Sequence, residues 1–224
     1  MARIKDFILK FSLSFNLWFG RLPKLVKRLI VSVLVIVFTF LIIDLIFPVH
    51  TNIRYSKLIL SDEKKLLNAS LSSDQQWRMK AEIGEVNPLL LKTMIYKEDR
   101  WFRFHPGVNP IAIARAVWQN ISHGQRVSGA STITMQVVRM LEPRQRTIAS
   151  KFIECFRAMQ LELHFSKNEI LQLYINLLPY GGNIQGVKAA SFLYLGQEPQ
   201  ALSLAQAQNN PALAEAIRKS LERP

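Results

Sequence analysis

Tyr96-Lys97-Glu98-Asp99-Arg100-Trp101-Phe102-Arg103-Phe104-His105-Pro106-Gly107 sets two adjacent carboxylates at the end of an apolar run. Asn87-Pro88 opens that run with a capping residue and a proline suited to the first helical position. Leu90, Met94 and Ile95 recur at helical spacing up to Glu98. Pro106-Gly107 breaks the chain, and Asn109-Pro110 repeats the start signal. The stretch therefore reads as a helix end and a turn between two helices. A carboxylate pair among two arginines, a histidine and three aromatics suits acid–base chemistry. A charged helix end is the plainer reading of the same residues.

Downstream the chain keeps reading as helices. Ile111, Ala114, Val117, Trp118 and Ile121 form an apolar face, ended by Ser122-His123-Gly124. The small-residue turn Gly129-Ala130-Ser131-Thr132 opens a helix over 133–141. A basic connection follows, then a helix over 147–164 with Phe152, Phe156, Met159 and Leu163 as its buried stripe. Lys151 and Glu154 share a face beside that stripe. Ser166-Lys167-Asn168-Glu169 has the form of a capping box, with Ile170, Leu173, Tyr174 and Leu177 as the buried face behind it. Residues 186–195 are helical and closed by Gly196, and 203–206 start a last helix. Upstream, residues 54–60 and 76–80 read as two short strands around a polar connection.

The N-terminal third sets the compartment. Residues 29–47 (LIVSVLVIVFTFLIIDLIF) carry one charge, Asp44. As a helix they extend about 28 Å, close to a hydrocarbon core. Residues 1–28 hold Arg3, Lys5, Lys10, Arg21, Lys24, Lys27 and Arg28 against Asp6, while the near flank beyond the run holds only Arg54 and Lys57. The positive-inside rule puts the N-terminus in the cytoplasm and everything after Pro48 outside it. No small-x-small cleavage site follows, so the run reads as an uncleaved signal anchor. Residues 6–23 read either as an amphipathic helix on the membrane surface or as a loose basic tail. The whole chain has a formal net charge of +13. About half of that excess lies beside the membrane, where it suits anionic lipid, and the rest faces a compartment without nucleic acid. One cysteine, Cys155, excludes an internal disulfide and a cysteine zinc cluster. The organisation is then a basic tail (1–28), an anchor (29–47), a neck (48–85) and a mainly α domain (86–224).

Three clusters in that domain carry chemistry: Glu98-Asp99 with Phe102 and His105; Ser131, Thr132 and Gln136 followed by Arg139; and Arg146, Lys151 and Glu154. A helix start offers unpaired N–H groups and a favourable dipole to an anion. With the cations beside it, the domain suits a phosphate-bearing lipid. The motifs run in a telling order. Glu-Asp-x-x-Phe-x-x-His-x-Gly comes first, then Gly-x-Ser-Thr-Ile-Thr-x-Gln and Lys-x-x-Glu. Ser-Lys-x-Glu-Ile-Leu-x-x-Tyr-x-Asn and Gly186-Val187 with Ala189-Ala190 follow. From 87 to 205 this resembles the peptidoglycan glycosyltransferases of family 51, and is most similar to the penicillin-binding protein 1C subgroup. The resemblance implies a lysozyme-like, mostly helical fold with a membrane-facing jaw, in the bacterial cytoplasmic membrane with the domain on the periplasmic face. It implies polymerisation of lipid II into a nascent glycan strand, with other wall-synthesis proteins as candidate partners. Glu98 is then the general base and Glu154 the second glutamate, near the leaving pyrophosphate. Arg139, Arg146 and Lys151 neutralise that leaving group, Ser131, Thr132 and Gln136 line the donor site, and Asp99 and Glu169 fall at substrate-side positions. A divalent cation, Mg or Mn, assists in some members; nothing in the sequence requires one.

Bland readings stand beside these. Glu169 is equally the partner of Ser166 in a capping box, His105 reads as a turn residue, and Lys151 with Glu154 is by default a surface ion pair worth ~0.2–0.5 kcal/mol. The chain also departs from the family pattern. Ala130 replaces a glycine, Met135 replaces a glutamine with loss of a polar contact, and Ser150 stands where arginine is usual. After Ala205 the chain becomes Gln206-Ala207-Gln208-Asn209-Asn210-Pro211 and ends at Pro224, which reads as a shortened domain. A non-catalytic lipid II-binding or cell-wall partner protein is the rival reading. A lysozyme-like glycan-cleaving enzyme is a weaker one, because a neutral glycan has no use for the cations.

Overall fold

The computed structural model describes residues 20, 22–62, 66–124 and 129–202. The tail up to residue 19, the amphipathic reading placed on it, the helix start at 203–206 and the expected shortening all lie outside the described residues. The chain divides into two units, Met1–Pro48 and Val49–Pro224.

In the first unit, α1 (Lys24–Ile46) starts after Pro23 and stops at Phe47, before a proline that cannot continue it. Among the described residues it is the one helix long and apolar enough to cross a membrane, at about 34 Å. Leu29, Leu34, Ile36, Phe38 and Leu45 are all exposed. A helix apolar all round is what a bilayer accepts. It begins five residues before the apolar run, taking in Lys24, Lys27 and Arg28.

The second unit opens with a hairpin. β1 (Lys57–Leu60) pairs antiparallel with β2 (Leu66–Ser70), with a bulge between Ile59 and Leu60. The strand expected over 54–60 is present as 57–60, but its partner lies inside the stretch read as a polar connection. A short local connection costs less closure entropy than one that takes in residues 61–75. Arg54 and Ser56 still meet the later segment, 76–80, the Ser56 N–H donating to the Arg78 carbonyl at 2.8 Å. β3 (Trp77–Arg78) instead pairs in parallel with β5 (Ile184–Gln185), which also takes β4 (Pro179–Gly181) antiparallel. The buried Arg78 guanidinium fastens this small sheet, donating to the Arg54 carbonyl, to Gln185 and to Asp74.

Among the described residues six α-helices follow, most of them started by a side-chain cap. Asn87 accepts from Leu89 at the head of α2 (Pro88–Asp99), and Asn109 from Ala112 at the head of α3 (Pro110–His123). Thr132 caps α4 (Ile133–Leu141) and Thr147 caps α5 (Ile148–His164). Ser166 and Glu169 form a reciprocal capping box on α6 (Lys167–Leu177). α7 (Val187–Leu195) lies between Gly186 and Gly196. The short α4 is central. Ile133, Met135 and Val137 are fully enclosed, and the helix packs on both α5 and α6. Phe102, Leu161, Ile170, Tyr174 and Ile175 complete the core around it.

One expected buried face is corrected. On α5, Phe152 is 73% and Leu163 54% exposed, and Met159 is also exposed; the buried side is Glu154, Ala158 and Leu161. α4 packs on α5, and the turn at Gly107 comes so close to the Ala158 carbonyl oxygen that a Cβ on Gly107 would stand 2.5 Å from it. On α3 the apolar face exists but points outward: Ile111, Trp118 and Ile121 are exposed and Ala116 is buried. Helical period marks a face; it does not say what covers the face.

Candidate active site

The site is built on α4, and its geometry begins at the helix start. Asp99, the last residue of α2, is buried, and its Oδ2 accepts from the Ile133 N–H at 3.1 Å. The same oxygen lies 2.8 Å from His105 Nε2, also buried. Thr132 Oγ1 accepts from Met135 N–H and donates to the Gly107 carbonyl. Gly107 adopts φ +85°, and a Cβ there would stand 2.5 Å from the Ala158 carbonyl oxygen. The expectation of free first-turn donors waiting for a substrate anion is therefore corrected. Asp99 already supplies the anion that the helix dipole favours, and Thr132 fills a second donor. Both residues, placed by sequence on the substrate side, have their polar atoms bound within the protein. Met135 is fully enclosed, so a polar contact is not what this position provides.

Along α4, Gln136 and Arg139 are three residues apart and share a face, about 4.5 Å apart along the axis. Gln136 Nε2 donates to Glu98 Oε2 at 2.6 Å. Burial raises the Glu98 pKa; the Gln136 bond pulls it down, the Asp99 charge pushes it up, and it stays above the ordinary carboxylate value. Arg139 grips Glu154 with two bonds, Nε to Oε1 at 2.8 Å and Nη2 to Oε2 at 2.9 Å. Lys151 Nζ lies 3.2 Å from Glu154 Oε2 and 2.6 Å from Ser131 Oγ, which Arg139 also approaches at 3.4 Å.

Two cations thus share one carboxylate. Burial disfavours the charged form of Glu154, but the Arg139 bonds and the Lys151 and Arg139 charges together outweigh it and lower its pKa. The Glu154 bond chiefly raises Arg139. The surplus positive charge falls on Lys151, the cation that can release a proton: burial first, with Arg139 adding to it, lowers its pKa despite Glu154. A cluster left with one positive charge in excess, part-buried and carrying a hydroxyl, favours an incoming anion.

Other expected residues make no hydrogen bond to this cluster among the described residues. Arg146 is exposed in the connection before α5 and makes no hydrogen bond or ion pair among the described residues. Ser150 helps to cap α5, its N–H donating to Thr147. Glu169 is exposed; its bond to the Ser166 side chain first, and the Ser166 N–H it accepts at 2.7 Å, hold its carboxyl below the ordinary value. Cys155 is part-buried, and burial raises its thiol pKa. Sequence reasoning missed Glu162 and Lys167, which pair at 2.6 Å beneath the 99–107 turn. Their spacing crosses a helix boundary, where no periodic rule links them.

A family model described as transglycosylase matches residues 63–220. The chain belongs to the transglycosylase family. All five motifs of the sequence lie within that span, and the mainly helical domain is the family's lysozyme-like fold. Similar curated proteins include penicillin-binding protein 1C of Escherichia coli, 44% identical over 160 residues, covering 71% of this chain and 21% of the relative. Penicillin-binding protein 1B of Haemophilus influenzae is 39% identical over 145 residues, 62% of this chain and 19% of the relative. Penicillin-binding protein 1A of Aquifex aeolicus is 32% identical over 206 residues, 86% of this chain and 28% of the relative. The chain spans between 19% and 28% of the length of these relatives.

The divalent cation expected at the pyrophosphate would meet a Glu154 carboxylate that protein cations already engage. Both oxygens of Glu154 already accept from Arg139 or Lys151. Among the described residues no three acidic, histidine or cysteine side chains gather around a common point.

Proposed function

We propose that this chain is a peptidoglycan glycosyltransferase that polymerises lipid II into glycan strands. One observation carries the reading. One face of α4 holds, through Gln136, the part-buried Glu98 carboxylate of raised pKa and, one turn further on, a cation cluster of surplus charge. The reaction needs a base and an anion site that close to each other.

The acceptor sugar's 4-hydroxyl loses its proton to Glu98, and its oxygen bonds to the anomeric carbon of the growing chain. The bond from that carbon to the pyrophosphate oxygen breaks with inversion, and undecaprenyl pyrophosphate leaves with the electron pair. A carboxylate raised towards working pH is a better base than an exposed one, and positioned base catalysis contributes ~10²–10⁴-fold. Gln136 fixes the Glu98 carboxylate and still leaves its other oxygen for the incoming hydroxyl. Arg139, Lys151 and Ser131 receive the leaving pyrophosphate, and preorganised charge of this kind lowers the barrier without reorganisation. Glu154 acts by holding the two cations in place. Arg146, in the connection before α5, adds its charge to theirs.

The chain sits in a bacterial cytoplasmic membrane by α1, with its basic flank inside and the domain on the outer face; the excess of Lys and Arg before the helix supports that direction. The exposed Ile111, Trp118 and Ile121 of α3 and Ile148 and Phe152 of α5 suit a domain working against a bilayer. Its partners are lipid II, the nascent strand, membrane lipids and other wall-synthesis proteins. The test is polymerisation of lipid II by the purified chain in detergent, read as glycan strand on a gel. The wild type makes strand and Glu98→Gln makes none while remaining folded. Strand from Glu98→Gln at the wild-type rate would remove Glu98 from this role. Lipid II binding without strand from the wild type would support a binding protein instead.

A further inference from the structure

Lys167 lies in the fourth motif, yet the chemistry above leaves it without a task. Its side chain is 20% exposed, and its ammonium sits 4.7 Å from the centre of the Phe102 ring. It donates to the His105 carbonyl at 2.6 Å and to Glu162 Oε1 at 2.6 Å. That same Glu162 oxygen accepts from Thr134 Oγ1 at 2.6 Å, and the Glu162 side chain is 9% exposed. One ammonium therefore joins the 99–107 turn, which follows Glu98, to the second residue of α4, which carries Gln136 to Glu98. The route closes on itself, because Asp99 and Gly107 in that turn also bind the start of α4.

We infer that Lys167 is a positioning residue for Glu98, acting through Glu162 and Thr134 to fix the first turn of α4 against the turn that follows the base. It touches neither sugar nor pyrophosphate. Its role rests on the proposed polymerisation, since it sets the distance between the base and Gln136. A buried ion pair adds little net stability over an apolar pair of similar size, but each of its bonds here is to a different element. Losing it lets α4 and the turn shift relative to each other, and a misplacement of about an ångström can cost on the order of 100-fold in rate.

The test uses the full chain in detergent. Lys167→Met removes the ammonium. Thr134→Val keeps the shape and the ion pair but cuts the link to α4, so it serves where Lys167→Met folds poorly. Both lower kcat for lipid II by roughly 10- to 100-fold, with KM within about twofold, because the donor-side cations are untouched. Lys167→Arg recovers most of the rate, and Lys167→Met with Thr134→Val together lose no more than the worse single change. Hydrogen exchange supplies a readout besides activity: amides 132–136 and 105–107 exchange faster in Lys167→Met and not in Lys167→Arg. Unchanged kcat in folded Lys167→Met or Thr134→Val, or unchanged exchange at those amides, overturns the inference. A loss confined to KM overturns it too. Absence of strand from the wild type overturns the polymerase reading, and the positioning role with it, whatever the exchange shows.

Discussion

Replacing Arg139 by methionine keeps most of the apolar stem and deletes the guanidinium. Glu154, with a side chain 9% exposed, then keeps Lys151 alone, at 3.2 Å. Removing one partner of a fully buried pair costs ~3–5 kcal/mol. The Arg139 side chain is 30% exposed and one cation remains, so the expected loss is about 2–3 kcal/mol. For a domain of this size that is a fall of roughly 5–10 °C in melting temperature. The assay is urea unfolding in detergent of the wild type, Arg139→Met, Glu154→Gln and the double variant. In the Glu154→Gln background no charge is left stranded, so Arg139→Met there costs less than about 1 kcal/mol, giving a coupling within the usual 0.5–3 kcal/mol for groups in contact. The pH dependence has a fixed sign. The folded pKa of Glu154 is depressed, so its contribution is full above the ordinary glutamate value and lost as pH falls through the folded one. Arg139→Met shrinks that acid-range slope. A cost below about 0.5 kcal/mol, or an equal cost in both backgrounds, would mean that solvent and not Arg139 neutralises Glu154, and the anion-site argument would fail with it.

Three further outcomes follow from the same geometry. Gly107→Ala, at φ +85° and with its Cβ 2.5 Å from the Ala158 carbonyl oxygen, loses at least about 2 kcal/mol of unfolding free energy; a loss under 0.5 kcal/mol would show that the turn yields. Thr132→Val removes the cap on α4 and its tie to Gly107, lowering stability by about 1–2 kcal/mol, while Thr132→Ser retains most of it in the same denaturation assay. Glu98→Gln abolishes strand synthesis and does not destabilise the domain at neutral pH. The folded pKa of Glu98 is raised, chiefly by burial, so the native state binds that proton more tightly and stability falls as pH rises from the ordinary glutamate value through the folded one. A clear drop in the neutral-pH melting temperature of Glu98→Gln would contradict this.

Local signals in the sequence carried much of the fold. Asn87-Pro88, Asn109-Pro110, Thr132, Thr147 and Ser166 are caps whose chemistry depends on a few neighbours, and each starts a helix where its residues place it. The pairing of Lys151 with Glu154 follows from spacing on one helix. The faces were not legible in the same way. α3 and α5 each carry enough apolar side chains for more than one stripe, and only the packed neighbours decide which is covered. Contacts between distant segments were also closed to inspection: Asp99 reaches Ile133 across 34 residues, and Arg78 reaches Gln185 across 107. The sequence suggested a helix start open to substrate because nothing local showed that Asp99 already occupies it.

That occupation explains how so short a helix can carry the site. α4 has nine residues, fewer than the ~12–15 below which an isolated helix is marginal in water. Its order must come from enclosure of Ile133, Met135 and Val137 and from the bonds at its start, to Asp99, Gly107 and Glu162. Those bonds also set where Gln136 and Arg139 point. Stability and site geometry are therefore carried by the same contacts in α4, whereas in α7 the core and the capping glycines hold a helix that presents no proposed site residue. Changes at the start of α4 should move melting temperature and kcat together, while a change to Glu98 itself should separate them. Helix start and catalytic carboxylate are distinguishable by that split alone.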